Sequence, residues 1–215
     1  MGSLRWPLFG LRVVTPRLEL RYVDDDLARE LAELAIEGIH PPDAMPFSVP
    51  WSRQEPEVMR VEFPKHHWGR RATFSEDDWA LTMAVLVDGE PVGVQDAFAK
   101  QFTVTRQFET GSWLGRRHQG RGIGTEMRSA ILHLGFEGLG ADRAVTGAWE
   151  DNPASQAVTR KLGYADNGWD LLAREGSQAR MLRFAMTRDE WLPGRRDDIV
   201  IEGLEPCLPL LGLDA

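Results

Sequence analysis

Residues 113–127 read Trp-Leu-Gly-Arg-Arg-His-Gln-Gly-Arg-Gly-Ile-Gly-Thr-Glu-Met, a strand-forming stretch that passes through a glycine-rich turn into a helix-forming one. No other segment constrains the chain so tightly. Gly120, Gly122 and Gly124 carry no Cβ, so an anion can come close to the amides of Arg121 through Thr125. The first N–H groups of a helix have no internal partner and sit at the positive end of its dipole. Strand, turn and helix together therefore predict a pyrophosphate site. Two familiar phosphate loops do not fit. The Walker A loop needs a Gly-Lys-Ser/Thr ending, which is absent. The dinucleotide loop G-x-G-x-x-G would put its third glycine at Thr125 or at Met127, depending on the starting glycine, and methionine is too large for close helix–strand packing. A ligand-free tight turn and a pyrophosphate loop of another pattern remain.

The rest of the sequence limits the setting. The 215 residues suffice for one core without staples. Lys and Arg number 25 against 33 Asp and Glu, a formal charge of −8, which disfavours nucleic acid or an anionic membrane as partner. No run of 18 apolar residues occurs, and the N-terminal apolar stretch is too short, with Trp6 too early, for a signal peptide. A cytoplasmic protein is expected. Cys207 is the single cysteine, so an intrachain disulfide and a cysteine zinc site are excluded. Adjacent His66 and His67 point in different directions on a helix, His118 reads as a surface residue, and no metal site is expected.

Periodicity predicts strands at 18–23, 81–87, 91–99, 102–114, 144–149, 171–175 and 180–187. It predicts helices at 24–38, between Pro56 and Pro64, at 122–139 and at 153–162. Asp88-Gly89 marks a hairpin turn, Asp24 to Asp26 a helix start, and Pro153 a first helical position. The expected fold class is α/β, a mixed sheet with helices on both faces. Residues 1–188 are expected to form one domain. Residues 189–215 form an irregular extension packed on that domain or on a dimer partner.

Gln119-Gly120-Arg121-Gly122-Ile123-Gly124 fits the Gln/Arg-x-x-Gly-x-Gly/Ala loop of the GNAT acyltransferases at every fixed position. The chain resembles that superfamily beyond the loop. Thr15-Pro16-Arg17-Leu18-Glu19-Leu20-Arg21, Glu109-Thr110-Gly111-Ser112-Trp113-Leu114, and Asn152-Pro153-Ala154-Ser155 with Lys161-Leu162-Gly163-Tyr164 are similar to segments of its ribosomal-protein N-terminal acetyltransferase-like branch. The likeness spans about residues 15–187 in order and spacing.

This resemblance implies a GNAT fold in which two parallel strands, here 102–114 and 144–149, splay apart around the pantetheine arm. A bulge at Gly111 would free backbone groups for that arm. Trp113, Leu114, Gln119, Gly120, Arg121, Gly122, Ile123, Gly124, Thr125, Asn152 and Ser155 are the implied acyl-CoA contacts, with the Leu114 N–H polarising the thioester carbonyl. The implied co-substrate is acetyl-CoA, or a longer donor such as succinyl-CoA. The acceptor is an amine of a protein N-terminus, a lysine or a small molecule, and a homodimer is a further implied partner. Glu109 is the implied base, ahead of Glu150 and Asp96. Ser155 is the implied donor to the leaving sulfur, because Thr159 stands where many relatives carry tyrosine. Arg116, Arg117 and Arg160 could meet CoA phosphates. A noncatalytic acyl-CoA sensor and a nucleotide-binding domain are the rival readings.

Overall fold

Strand-forming runs outnumber helical ones in the order of the chain, and in the computed structural model, which describes residues 6–214, they collect into one nine-stranded mixed sheet. The strands are β1 (Arg12–Val14), β2 (Glu19–Tyr22), β3 (Asp78–Val87), β4 (Glu90–Lys100), β5 (Gln107–Leu114), β6 (Arg143–Trp149), β7 (Ala165–Arg174), β8 (Ser177–Thr187) and β9 (Val200–Glu202). Their spatial order is β7-β8-β6-β5-β4-β3-β2-β1-β9. Every pairing is antiparallel except β5 with β6. That exception follows from connectivity, since β5 and β6 are joined by a helical crossover rather than a tight turn.

Side chains alternate along each strand, so the sheet has two faces. On one, α1 (Asp25–Glu37) and α2 (Pro56–Ala72) bury Leu27, Leu31, Leu34, Met59 and Phe63 against Ala84, Leu86 and Val94. On the other, α4 (Ile123–His133) buries Ile123, Met127 and Ile131 in a larger core with Leu81, Met83, Phe108 and Phe184. α5 (Pro153–Lys161) lies beside α4. Asp24 begins α1 as its side chain accepts from the Leu27 N–H at 2.9 Å, and Gly38 ends it.

Four local expectations change. The run 102–114 is not one strand: α3 (Phe102–Thr105) is a single helical turn between Gln101 and Arg106, both at positive φ, and β5 starts after it. Pro64 lies inside α2 rather than ending it. The helix from 122 leaves α-geometry at a π-turn, Leu134–Gly138. There the ring of Phe108 comes so close to Gly135 that a Cβ would sit 2.2 Å from its Cζ. The fourth change concerns Gly111: β4 and β5 keep one register from Gly93↔Leu114 to Phe98↔Glu109, so no bulge occurs at Gly111.

After β8, the short helix α6 (Arg188–Trp191) begins at a capping box of Thr187 and Glu190. β9 then pairs with β1, and a 3-10 helix at Glu205–Leu211 seats Cys207 and Leu211 in the large core. Among the described residues, no helix is long and apolar enough to cross a membrane.

Candidate active site

The parallel strands β5 and β6 pair over only four positions, from Gln107↔Arg143 to Thr110↔Thr146. Beyond Thr110, β5 stays on β4, while β6 stays on β8 through Trp149. The two strands therefore part into a V without a bulge in β5. The Gly115 N–H donates to the Val92 carbonyl of β4 at 3.0 Å. Backbone groups alternate sides along a strand, so those of Leu114 and Ser112 face the opening. The Leu114 carbonyl accepts from Gln119 Nε2 at 2.9 Å. The Trp113 backbone turns toward β4, where its carbonyl would stand 2.3 Å from a Cβ on Gly93.

At the wide end lies the glycine turn. Gly120 and Gly122 have φ of 72° and 79°, which a side chain disfavours, and nothing lies within 4 Å of where a Gly120 Cβ would be. Gly122 is the N-cap of α4, and no side chain among the described residues caps that end. The N–H groups of Ile123, Gly124 and Thr125 therefore lack intrahelical acceptors. A clamp from β2's entry holds the turn. Arg17 donates from Nε to Glu126 at 2.6 Å and from Nη1 to the Arg121 carbonyl at 3.3 Å, and Thr15 Oγ1 donates to Glu126 at 2.7 Å. Burial raises the Glu126 pKa, but the hydrogen bonds from Thr15 and Arg17 outweigh it and leave the carboxyl below its usual range.

Arg128 of α4 lies buried behind the vertex of the V. Its Nη2 reaches Ser112 Oγ on β5 at 3.0 Å and its Nη1 reaches Thr146 Oγ1 on β6 at 3.4 Å. Thr146 Oγ1 in turn donates to the Thr110 carbonyl at 2.9 Å. Arg128 has no carboxylate partner among the described residues, and burial lowers its pKa. The buried Tyr164 hydroxyl is its neighbour, and neither that hydroxyl nor Thr110 Oγ1 completes a hydrogen bond among the described residues.

The α1/α2 face carries the acids. Glu109, Gly111 and Trp113 stand in a row on β5, opposite Phe98, Asp96 and Val94 of β4. Glu109 lies 3.7 Å from Arg183 Nη1 on β8, and burial raises its pKa. Asp96 is more deeply set, and burial pushes its pKa up to about 6. Residues 38–55 cross this face as a strap. The Gly38 carbonyl accepts from the Arg116 N–H at 3.0 Å, and the Ile39 carbonyl accepts from Gln119 Nε2 at 2.7 Å. At the far side the Met45 carbonyl accepts from Arg174 at 3.2 Å, and Arg53 pairs with Glu175 in the β7–β8 turn. Phe47, Trp51 and Trp113 form an aromatic cluster beneath the strap, with centroid distances of 4.9 and 5.9 Å.

A family model described as an acetyltransferase (GNAT) domain matches residues 17–165. The chain belongs to the GNAT acetyltransferase family. The putative ribosomal N-acetyltransferase YdaF of Bacillus subtilis (strain 168) is 28% identical over 90 residues, which are 41% of this chain and 49% of that relative. The match thus spans about half the length of the curated relative. A solved RimL ribosomal L7/L12 alpha-N-protein acetyltransferase in complex with coenzyme A superposes with a TM-score of 0.67 at 22% identity, covering 82% of this chain and 97% of that one. RimJ of Mycobacterium smegmatis, in complex with CoA-disulfide, gives 0.66 at 21% identity over 86% and 93%. At these identities the solved structures show a shared fold.

In this GNAT acetyltransferase, α5 brings up the remaining expected residues. Asn152 is its N-cap, Oδ1 accepting from the Ser155 N–H at 3.1 Å. Ser155 Oγ makes no hydrogen bond among the described residues, whereas the Thr159 hydroxyl is buried and donates to the Ser155 carbonyl at 2.8 Å. Arg117 pairs with Glu37 and Arg160 with Asp166 on the surface. Glu150 pairs with Arg180 at 3.0 Å on an exposed turn. His66 and His67 join no metal-binding cluster among the described residues. Burial holds His67 at a pKa of about 3. Sequence reasoning missed Arg128 and the Arg17–Glu126 clamp. The alternation of Arg17 with Leu18 and Leu20, and the placement of Glu126 in the first turn after the glycines, were the signals for the clamp; nothing in the sequence singled out Arg128.

Proposed function

We propose that this chain transfers an acyl group, acetyl before longer ones, from acyl-CoA to a primary amine while both are bound. One observation carries the reading: the gap that opens beyond Thr110 and Thr146 leads along β5 to a glycine turn whose amides lack acceptors among the described residues. The donor set fits a diphosphate joined to an amide-bearing arm. The N–H groups of residues 123–125 would hold the diphosphate, and the backbone groups of Ser112 and Leu114 would pair with the arm as a strand would. Bound acyl-CoA supplies an activated thioester. The Leu114 N–H polarises its carbonyl, Asn152 Nδ2 holds the arm, and Ser155 Oγ offers a proton to the sulfur. The amine enters from the α1/α2 face under the strap, where Glu109 stands at the rim. An alkyl ammonium, with a pKa of roughly 10.4, must lose a proton before it can attack. A carboxylate on that face serves this need.

The relatives' names make ribosomal-protein N-termini the first acceptors to try, which would place the enzyme in the cytoplasm. The test pairs acetyl-CoA and succinyl-CoA with peptide N-termini, lysine and small amines, read by free thiol and by mass shift. Amine-dependent thiol release with the matching mass gain supports the reading. Tight acyl-CoA binding without thiol release from any pair would make the protein a sensor, and preference for ATP or NAD over CoA would remove the assignment.

A further inference from the structure

We propose that Asp96, rather than Glu109, is the catalytic residue that takes the proton from the acceptor amine. This inference rests on the transfer reaction proposed above. Asp96 stands on β4 directly across from Gly111, and Gly111 is the first residue of β5 beyond the last β5–β6 pair. The carboxylate is therefore level with the start of the opening, on the face from which an amine arrives. A methyl group on Gly111 would stand 3.8 Å from Asp96 Oδ2 and 3.5 Å from Phe98 Cε1. The glycine thus leaves a window between Glu109 and Trp113 through which Asp96 is reached.

The two acids differ in what holds them. Glu109 and Asp170 share one cation, Arg183, at 3.7 and 2.6 Å. Burial still raises the Glu109 pKa, but Arg183 favours the ionised carboxylate and opposes that rise. Asp96 has no ion pair within 4.0 Å among the described residues. Thr82 stands opposite it on β3, Arg70 on α2 is the charge that bears on it, and β5 presents Gly111 with Glu109 as the next side chain. His67, also on α2, stays neutral above a pKa of about 3. Burial brings Asp96 to about 6, so at neutral pH it is ionised yet more basic than a surface carboxylate.

The step balances. The acceptor ammonium gives one proton to an Asp96 oxygen. The freed nitrogen pair bonds to the acyl carbon, the C–S bond breaks, and sulfur keeps its electron pair. The second nitrogen proton passes to the thiolate by way of Ser155 or water, and Asp96 releases its proton to solvent.

The test measures kcat/KM against pH at saturating acetyl-CoA for the wild type, Asp96→Asn, Glu109→Gln and Gly111→Ala, with acetyl-CoA affinity measured by calorimetry. The wild type should lose activity toward acid with a midpoint near 6, the value burial gives Asp96. Asp96→Asn should lower kcat about 100-fold and abolish that acid limb. Glu109→Gln should lose less than about tenfold and keep the limb. Gly111→Ala makes only ordinary contacts, so it should fold, bind acetyl-CoA as before and lose activity by closing the window. Asp96→Asn activity near the wild-type level, loss of the limb in Glu109→Gln instead, or full activity in Gly111→Ala would each overturn the proposal. A wild type that binds acetyl-CoA but releases no thiol with any amine would overturn the transfer reading itself, a result distinct from these three.

Discussion

A carboxylate lifted toward neutrality by burial weakens the fold whenever it is charged. The folded Asp96 binds its proton more tightly than the unfolded chain does, since its pKa rises from 3.8 to about 6. Its contribution is therefore most favourable below pH 4 and declines as pH rises through 6, by an amount on the order of 3 kcal/mol. Asp96→Asn should be more stable than the wild type by about 1–3 kcal/mol at pH 8 and equal to it at pH 4, as read by urea unfolding at the two pH values. Stability gained while activity is lost is what a residue kept for chemistry gives. Gly122→Val acts on the other side of the site. It would force a β-branched residue to φ 79° with Arg17 Nη2 3.4 Å from its Cβ. Coenzyme A affinity should fall about tenfold or more by calorimetry. The glycine turn was legible because its chemistry is local: three missing Cβ atoms and a helix start lie within six residues. Arg128 was not, because its partners Gln95, Ser112 and Thr146 come from three strands that only the sheet brings together. The pairing of Glu109 with Arg183 was hidden for the same reason, since Arg183 comes from distant β8.

Elements with strong local signals formed as their residues dictate. Asp88-Gly89 turns β3 into β4, and Asp24 starts α1 with a side-chain bond to the Leu27 N–H. Asp24→Ala should cost about 1 kcal/mol in thermal unfolding, with little effect on the site. Where tertiary contacts outvoted local preference, the sequence misled. Pro64 in α2 lacks an N–H to donate, yet it is buried with Met59 and Phe63 against the sheet, and that packing carries the helix through it. Phe102 looked like the start of a strand because it is apolar, but it fills the core from a single helical turn against Trp79, 5.3 Å between ring centroids. β1 and β9 are three residues each, too short to show any alternation. The divergence of β5 from β6 needed no bulge, because each strand finds its remaining partner on the outer side.

At the scale of the molecule, the last residues complete the sheet edge and the core. Cutting the chain after residue 198 would remove β9 and expose what Cys207 and Leu211 cover. Each buried apolar side chain lost costs about 1.5–3 kcal/mol, so the shortened protein should melt well below the full chain in calorimetry. Cys207 reports the same docking without a cut. Burial pushes its thiol up to about 11, so a thiol reagent should label it only as fast as the tail lifts away. The V has a mechanical meaning of its own. Until a guest arrives, the sheet has an unglued seam through its middle, and the two halves on either side are joined there by four rungs and the helices above them. A guest that fills the seam acts as mortar: amide exchange should slow in both halves together, in residues that never touch it.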